Sequence, residues 1–249
     1  MRTNEVALVT GASRGLGLEV AWMLAQRGLR LILTARGAQE LEQAADELRP
    51  RTEVIALPGD IGERAHAERL VTAGVARFGG IDLLVNNAST LGPIPQPRLE
   101  SLPPGALDRI FHINVTAPLH LAQLALAGMR ARGRGTIVNI SSDAAVQAYA
   151  GWGGYSAAKA ALEHLSRVLA AELIGSGVRV YIVDPGDMNT QMHRDAEPGA
   201  HLSSLPGPEV AAARLVQLLA RETAPFGRFD LRRWAAGEIL EDPQAAEVR

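Results

Sequence analysis

The chain of 249 residues contains no cysteine and a single lysine. The first absence excludes disulfide bonds, thiol catalysis and cysteine-ligated zinc, and no metal site is predicted. The second absence is more informative, because 24 of the 25 basic residues are arginine. Most surface positions accept either cation. The one exception, Lys159, therefore indicates a site that requires a compact ammonium group, unless it was retained by drift.

Excess positive charge and long apolar runs are also missing. The 25 basic residues face 27 acidic ones, a balance that argues against binding a nucleic-acid backbone. The apolar run near the N-terminus is too short for a signal peptide or a membrane span, and no uninterrupted run of spanning length follows it. We therefore expect a cytoplasmic protein that binds neither nucleic acid nor a membrane.

Short apolar runs alternate with longer amphipathic stretches along the chain. The runs predict strands at residues 6–10, 29–34, 53–57, 81–85, 136–140 and 178–183, with a weaker one near 229–231. Helices are predicted at 15–27, 38–49, 62–78, 117–132, 155–174 and 208–221, with a shorter one near 105–113. This alternation predicts a doubly wound, Rossmann-type α/β fold, with a parallel sheet of about seven strands and helices on both faces. One domain would cover residues 1–249, with a substrate loop near 185–208.

A glycine-rich turn joins the first predicted strand to the first helix. Residues 10–17, TGASRGLG, carry three glycines that permit a tight turn and a close approach of the backbone to a phosphate. The N-terminus of the helix then offers free N–H groups to a pyrophosphate. The turn predicts dinucleotide binding, with contacts from Gly11, Ser13, Arg14, Gly15, Leu16 and Gly17.

The same turn matches a second motif. Residues 11–15, GASRG, fit the G-x-S-x-G elbow that carries the nucleophile of serine hydrolases, here Ser13. Such an elbow needs an acid and a histidine later in the chain, and the six histidines have no evident partner. A serine hydrolase is therefore kept as an alternative.

Charge at the end of the second strand favours one nicotinamide cofactor. An acid there holds the ribose 2′-hydroxyl of NAD, whereas arginine suits the 2′-phosphate of NADP. The strand ends at Arg36 with no acid, and Arg14 lies in the glycine turn. We expect NADP(H), with NAD(H) as the alternative if Arg36 is merely solvated. Asp60, after the third strand, is expected to contact adenine or to cap a helix.

Lys159 lies four residues after Tyr155, one of three tyrosines. Residues at this spacing share a helix face, so the phenol and the ammonium group are expected to point the same way. Lowering the pKa of a tyrosine from ~10 towards 7 requires ~4 kcal/mol, and a cation ~5 Å away supplies ~3 kcal/mol. Such a phenol can protonate a carbonyl oxygen as hydride reaches the carbon. The alternative is a tyrosine that packs on the surface.

A serine hydroxyl at the end of the fifth predicted strand is expected to act together with Tyr155 and Lys159. Ser141 and Ser142 end the apolar run of residues 136–140, and alternation along the strand directs only one of them into the pocket. We expect this to be Ser142, bonded to the substrate carbonyl and to the Tyr155 hydroxyl.

These motifs together resemble those of the short-chain dehydrogenase/reductase family in its single-domain form, over nearly the whole chain. Residues 10–17 fit its T-G-x3-G-x-G loop, and residues 86–88 fit its N-N-A-G segment. Its P-G turn corresponds to Pro185 and Gly186. The family's catalytic tetrad is matched by Asn114, Ser142, Tyr155 and Lys159.

The resemblance implies a role for each matching residue. Tyr155 would be the general acid/base, Lys159 would hold the nicotinamide ribose, and Asn114 would anchor a water of the proton relay. Further cofactor contacts are implied for Asp60, Ile61, Asn87, Ala88, Pro185, Gly186, Met188 and Thr190. A homotetramer or dimer, built partly through the helices at 117–132 and 155–174, is implied as well.

The chain also departs from the family pattern. Ser89 replaces a usual glycine, and three acids flank the expected pocket, Asp143, Asp184 and Asp187. These acids favour a basic or hydroxylated substrate, or else face solvent. Pocket walls are expected at 89–96, 143–152 and 188–205, with Tyr149 and Trp152 as an aromatic part or as loop packing. The expected reaction is hydride transfer to or from a small carbonyl or alcohol substrate. A cofactor-binding redox sensor without turnover remains a further alternative.

Overall fold

The buried apolar runs pair into one parallel sheet. The computed structural model describes Met1 and residues 3–234. Its strands are β1 (Val6–Thr10), β2 (Arg30–Thr34), β3 (Val54–Ala56), β4 (Leu83–Asn86), β5 (Gly135–Ile140), β6 (Val178–Asp184) and β7 (Phe226–Asp230). They lie in the order β3-β2-β1-β4-β5-β6-β7. The predicted doubly wound fold is thereby confirmed, and the predicted domain's residues 235–249 lie outside the described part.

Helices follow the strands and cover both faces of the sheet. They are α1 (Gly15–Gln26), α2 (Ala38–Leu48), α3 (Arg64–Phe78), α4 (Ala106–Phe111), α5 (Ala117–Ala131), α6 (Gly153–Glu172), α7 (Gln191–Ala196), α8 (Pro208–Arg221) and α9 (Leu231–Trp234). The weak strand expected near 229–231 begins earlier, because Phe226 pairs with Val180 of β6. The chain turns into α9 where that strand was expected to continue.

Each face of the sheet has its own apolar core. In β1, Ala7 and Val9 pack with α1 and α8, whereas Val6 and Leu8 pack in the second core, which includes side chains of α3 and α5. This alternation explains why β1 is apolar at every one of those positions: both of its faces are buried.

One helical stretch is apolar enough to cross a membrane by length and composition. Residues 106–131 have a mean hydropathy of 1.3 over the best window, of which 56% is buried inside the protein. This stretch is not an uninterrupted apolar run, because polar residues such as His112 and Asn114 lie within it. Its side chains Leu121 and Met129 pack in the second core, as those of a core helix do.

The chain reverses its direction of growth between β1 and β4. From β1 it proceeds outward to β2 and β3, then returns to place β4 on the other side of β1. Ligands of such sheets bind at this reversal, outside the carboxyl ends of the strands. Here the Thr10 hydroxyl ties the two ends together. It accepts hydrogen bonds from the backbone N–H groups of Asn87 (3.0 Å) and Ala88 (2.9 Å) and donates to the Val85 carbonyl (3.3 Å).

Replacing Thr10 with valine preserves the shape of the side chain but leaves both N–H groups without this acceptor. Since Thr10 is buried, we expect the free energy of unfolding to fall by about 2–4 kcal/mol. Urea denaturation measures the change. Thr223→Val, at an exposed position, is the control and should change stability little. Equal stability of the two variants would contradict the role of the Thr10 hydroxyl.

Candidate active site

A cavity of about 860 Å³ opens at the carboxyl edge of the sheet. It extends from the end of β2 to the loop after β6, and most of the residues predicted to bind a cofactor or to act in catalysis line it. These are Gly11, Ser13, Arg14, Gly15, Leu16, Arg36, Asp60, Ile61, Asn87, Ala88, Ser142, Tyr155, Lys159, Pro185, Gly186, Met188 and Thr190. Two predicted residues, Gly17 and Asn114, lie behind the lining.

The glycine turn has the geometry that a pyrophosphate requires. Gly11 and Gly15 adopt left-handed φ angles of 68° and 58°. A Cβ atom on Gly17 would lie 2.3 Å from the Gly11 carbonyl oxygen, so Gly17 allows the turn to close on α1. The first turn of α1 has no side-chain cap, which leaves its N–H groups for an anion. These residues fit a dinucleotide, and Ser13 lies within the same turn.

Cations and acids both line the far end of the cavity. Arg14 and Arg36 are exposed and line it, as does Glu40 of α2. The two cations suit a phosphate, whereas the carboxylate of Glu40 opposes it. The charge at this end of the cavity therefore includes Glu40, which lies in α2 beyond the end of β2, outside the position that the sequence pattern tests for an acid.

Asp60 makes two hydrogen bonds. Its carboxylate accepts from the Gly62 backbone N–H (2.8 Å) and from the Arg109 guanidinium (2.6 Å). Burial opposes ionisation, but these bonds hold the pKa of the carboxyl below its usual value. The predicted helix cap is wrong, because α3 begins at Arg64 with Glu63 as its N-cap. Asp60 remains available at the cavity wall for an adenine contact.

Tyr155 and Lys159 lie on one face of α6, as predicted. Both are buried and line the cavity, and the Lys159 Nζ lies 5.5 Å from the centroid of the Tyr155 ring. The ammonium group donates to the Ile140 carbonyl (2.7 Å), at the end of β5. Burial lowers the pKa of Lys159 to about 8, against the opposing carboxylates of Glu163 and Asp184.

The expected lowering of the Tyr155 pKa by Lys159 is not found. Burial raises the pKa of the phenol above its ordinary value, and the Asp184 carboxylate raises it further. Hydrogen bonds with Ser89 and Ser142 act in the opposite direction. The expectation from the sequence rests on one cation, whereas the pKa of this phenol is set mainly by its burial and by the acid at the end of β6.

Ser142 lies between the phenol and a neighbouring acid. It contacts Tyr155, while its hydroxyl donates to Asp143 (3.0 Å) and accepts from the Ala144 backbone N–H (3.1 Å). Ser141 points the other way and donates to Glu163 (2.6 Å), as alternation along the strand predicts. A hydroxyl has one proton, so Ser142 must leave Asp143 before it can donate to a carbonyl.

Asn114 supports the loop above the site. It lies in a π-helical turn, His112–Thr116, which joins α4 to α5. Its side chain accepts from the Thr90 backbone N–H (2.9 Å) and the Ser89 hydroxyl (3.1 Å), and donates to the Thr90 carbonyl (2.8 Å). The Asn114 amide is thus occupied by the loop that carries Ser89.

Asp184 links the site to the last described helix. Its carboxylate accepts from the Gly186 backbone N–H (2.9 Å) and lies 3.7 Å from the Arg232 guanidinium of α9. Arg232 in turn binds Asp230 and packs against Gly186, beside the predicted nicotinamide turn. Burial raises the pKa of Asp184 to about 6.

The substrate side of the cavity is apolar next to the phenol. Leu91, Ala144 and Tyr155 form a buried cluster against which Trp152 and Met192 pack. Trp152 stacks edge-on against Tyr155, with ring centroids 5.8 Å apart. Tyr149 is exposed and donates to Asp143 (2.9 Å) rather than lining the cavity.

Comparisons with known proteins agree with this geometry. The family model for short chain dehydrogenases matches residues 5–200. A rhamnolipids biosynthesis 3-oxoacyl-[acyl-carrier-protein] reductase of Pseudomonas aeruginosa is 35% identical over 200 residues, which cover 77% of this chain and 75% of the reductase.

Two solved structures extend the similarity to the fold. A metagenomic short-chain oxidoreductase in complex with NADP is 30% identical, with a TM-score of 0.77 over 92% of this chain and 98% of that one. A 7α-hydroxysteroid dehydrogenase complexed with NADH and 7-oxo glycochenodeoxycholic acid is 26% identical, with a TM-score of 0.82 over 92% of this chain and 93% of that one.

Asp184→Asn should change how stability depends on pH. The folded protein holds the pKa of Asp184 at about 6, above the ordinary value of 3.8 for an aspartate, so ionisation opposes folding as pH rises through this interval. The variant lacks this cost. At pH 7.5 we expect it to be more stable than the wild type by up to about 3 kcal/mol, with the difference disappearing below pH 4.

Denaturation at a series of pH values measures this difference. Asp187→Asn, three residues further along at an exposed position, is the matched control and should show no such trend. A stability difference between Asp184→Asn and the wild type that stays constant between pH 4 and 7.5 would refute the assignment.

Proposed function

The chain belongs to the short-chain dehydrogenase/reductase family and is a nicotinamide-dependent oxidoreductase, and we propose that it transfers a hydride between NADP(H) and a carbonyl or alcohol substrate. The observation that carries the proposal is the meeting of Ser142, Tyr155 and the lone lysine, Lys159, at one buried end of a cavity whose other end suits a dinucleotide. The serine hydrolase alternative fails, because Ser13 belongs to the turn that fits the pyrophosphate.

The three side chains divide the proton chemistry. A bound nicotinamide supplies the hydride or accepts it. Tyr155 gives its proton to the carbonyl oxygen during reduction and takes one from the alcohol during oxidation. Ser142 orients that oxygen beside the phenol. Lys159, whose ammonium group lies beside the Tyr155 ring, holds the nicotinamide ribose.

The remaining cofactor contacts follow the cavity wall. We assign the pyrophosphate to the glycine turn and the 2′-phosphate to Arg14 and Arg36. The adenine is assigned to Asp60 and Ile61, and the adenosine ribose to Asn87 and Ala88. We assign the nicotinamide end to the turn after β6, which contains Pro185, Gly186, Met188 and Thr190. Asn114 acts through the loop that its side chain holds, next to the water that we assign to the proton relay.

The substrate remains a class rather than a compound. The cluster of Leu91, Trp152 and Met192 supports an apolar substituent beside the carbonyl. Met192 comes from the proposed substrate segment, residues 185–208, which includes α7. One relative is named a 3-oxoacyl-[acyl-carrier-protein] reductase, so a 3-oxoacyl thioester belongs in a test panel with a sugar, a steroid-like ketone and a small aldehyde. Assembly as a homodimer or homotetramer, through α5 and α6, and a cytoplasmic location complete the proposal.

Tyr155→Phe tests the chemistry. Removing the phenol should reduce the rate of NADPH-dependent carbonyl reduction by at least about 100-fold, because no other group replaces the general acid. The Kd for NADPH should change by less than about 3-fold, since removing one uncharged hydroxyl costs little binding energy. Absorbance of NADPH over the carbonyl panel gives the rate, and protein fluorescence gives the Kd.

The control variant is Tyr181→Phe. It removes another buried phenol, which donates to the Ala224 carbonyl (2.9 Å) away from the cavity, and it should keep wild-type turnover. Cofactor binding without turnover by the wild type would instead favour the redox sensor.

Arg36→Ala tests the choice of cofactor. Loss of a charge-assisted hydrogen bond of about 1.5–3 kcal/mol should weaken NADPH binding about 10- to 100-fold and leave NADH binding nearly unchanged. Titration of both cofactors into both proteins measures this. Arg64→Ala, at an exposed position outside the cavity lining, is the control. Similar wild-type affinities for NADPH and NADH, unaltered by Arg36→Ala, would refute the NADP(H) preference.

A further inference from the structure

A buried ion pair lies one helical turn beyond Lys159, and the chemistry proposed above does not use it. Glu163 of α6 is 2% exposed, and both of its carboxylate oxygens accept from the Nε of Arg228 in β7, at 3.0 Å. Arg167 of the same helix approaches one oxygen at 3.4 Å. The third strong bond comes from the Ser141 hydroxyl, at 2.6 Å.

The position of this pair is unusual for one that only stabilises the fold. Burying two charges is costly, and apolar residues of similar volume often replace such pairs without loss of stability. Here the carboxylate touches the strand end that precedes Ser142, and it shares a helix face with Lys159. The Lys159 ammonium group binds the adjacent carbonyl of the same strand end, Ile140.

We propose that Glu163 and Arg228 are positioning residues, which set the charge around Lys159 and fix the end of β5 that carries Ser142. The inference rests on the proposed oxidoreductase chemistry. Neither residue touches substrate or cofactor in it; each acts through Lys159 or Ser141.

The charges that face Lys159 make the inference specific. Glu163 on its own helix and Asp184 at the end of β6 favour its ammonium form, against burial, and Tyr155 lies beside it. The positive groups behind Glu163 are Arg228 and Arg167. With both partners present, the Glu163–Arg228 pair is neutral. Relative to the wild type, removing the carboxylate makes the charge near Lys159 more positive, and removing the Arg228 guanidinium makes it more negative.

The two charge-removing variants should therefore act in opposite directions. Carbonyl reduction requires protonated Lys159, so activity falls as pH rises through its pKa. Glu163→Gln keeps an acceptor oxygen for Ser141 and should move this alkaline limb of kcat/KM to lower pH by roughly half to one pH unit. Arg228→Gln should move it to higher pH. Arg228→Lys, which keeps the charge, should restore the wild-type limb.

The controls separate this role from a purely structural one. Glu172→Gln removes an exposed carboxylate from the last residue of the same helix and should leave the profile at the wild-type position. A structural role alone would lower the stability of both buried variants and leave their limbs together. The inference is overturned if the two limbs coincide with that of Glu172→Gln, or if both move in the same direction.

A second measurement distinguishes this inference from the proposed function. If the wild type reduces no carbonyl in the panel, the proposed function fails, and the pH dependence of the NADPH Kd then decides the inference. Loss of the Lys159 charge should weaken NADPH binding at high pH, with the same opposite displacements for Glu163→Gln and Arg228→Gln. Coincident binding curves would overturn the inference even where turnover is normal.

Discussion

The site depends on the burial of one ammonium group. Lys159 is 3% exposed, in a position where a cation loses most of its hydration. Its charge is retained because a strand-end carbonyl accepts a hydrogen bond from the ammonium group and because Glu163 and Asp184 lie nearby. Each of these partners comes from a different element, β5, α6 and β6. The ammonium group of Lys159 can therefore stay charged only when β5, β6 and α6 pack together.

Most of the fold could be predicted because its strands are buried on both faces. Largely apolar runs such as β1 and β6 can be recognised as strands in a single sequence, and the helices between the strands predict their parallel arrangement. β7 was misjudged because Gly227 and Arg228 interrupt its apolar pattern. The guanidinium of Arg228 is accommodated by a carboxylate 65 residues away in the chain, a contact that no local pattern reveals.

The site was predictable where spacing alone decides geometry. Four residues on a helix bring Tyr155 and Lys159 to one face, and alternation along β5 separates Ser142 from Ser141. It was less predictable where the environment decides chemistry. The balance of acidity at Tyr155 depends on burial and on Asp184, and the partner of Asp60 is Arg109, 49 residues away. The position of Ser89 in the loop after β4 suggests a place near the site, but its hydrogen bonds with Tyr155 and Asn114 cannot be read from the sequence.

The link between Asp184 and α9 matters for anyone who redesigns this surface. Arg232 has 45% of its side chain exposed, so an inventory of accessible cations would treat it as interchangeable with the other arginines. Its fork, however, spans two carboxylates and rests on the backbone beside the proposed hydride-transfer end. A lysine has no planar fork to bridge them. Designs that replace surface arginines to change the net charge should therefore retain Arg232. Although its guanidinium faces solvent, it holds two carboxylates next to the proposed site of hydride transfer.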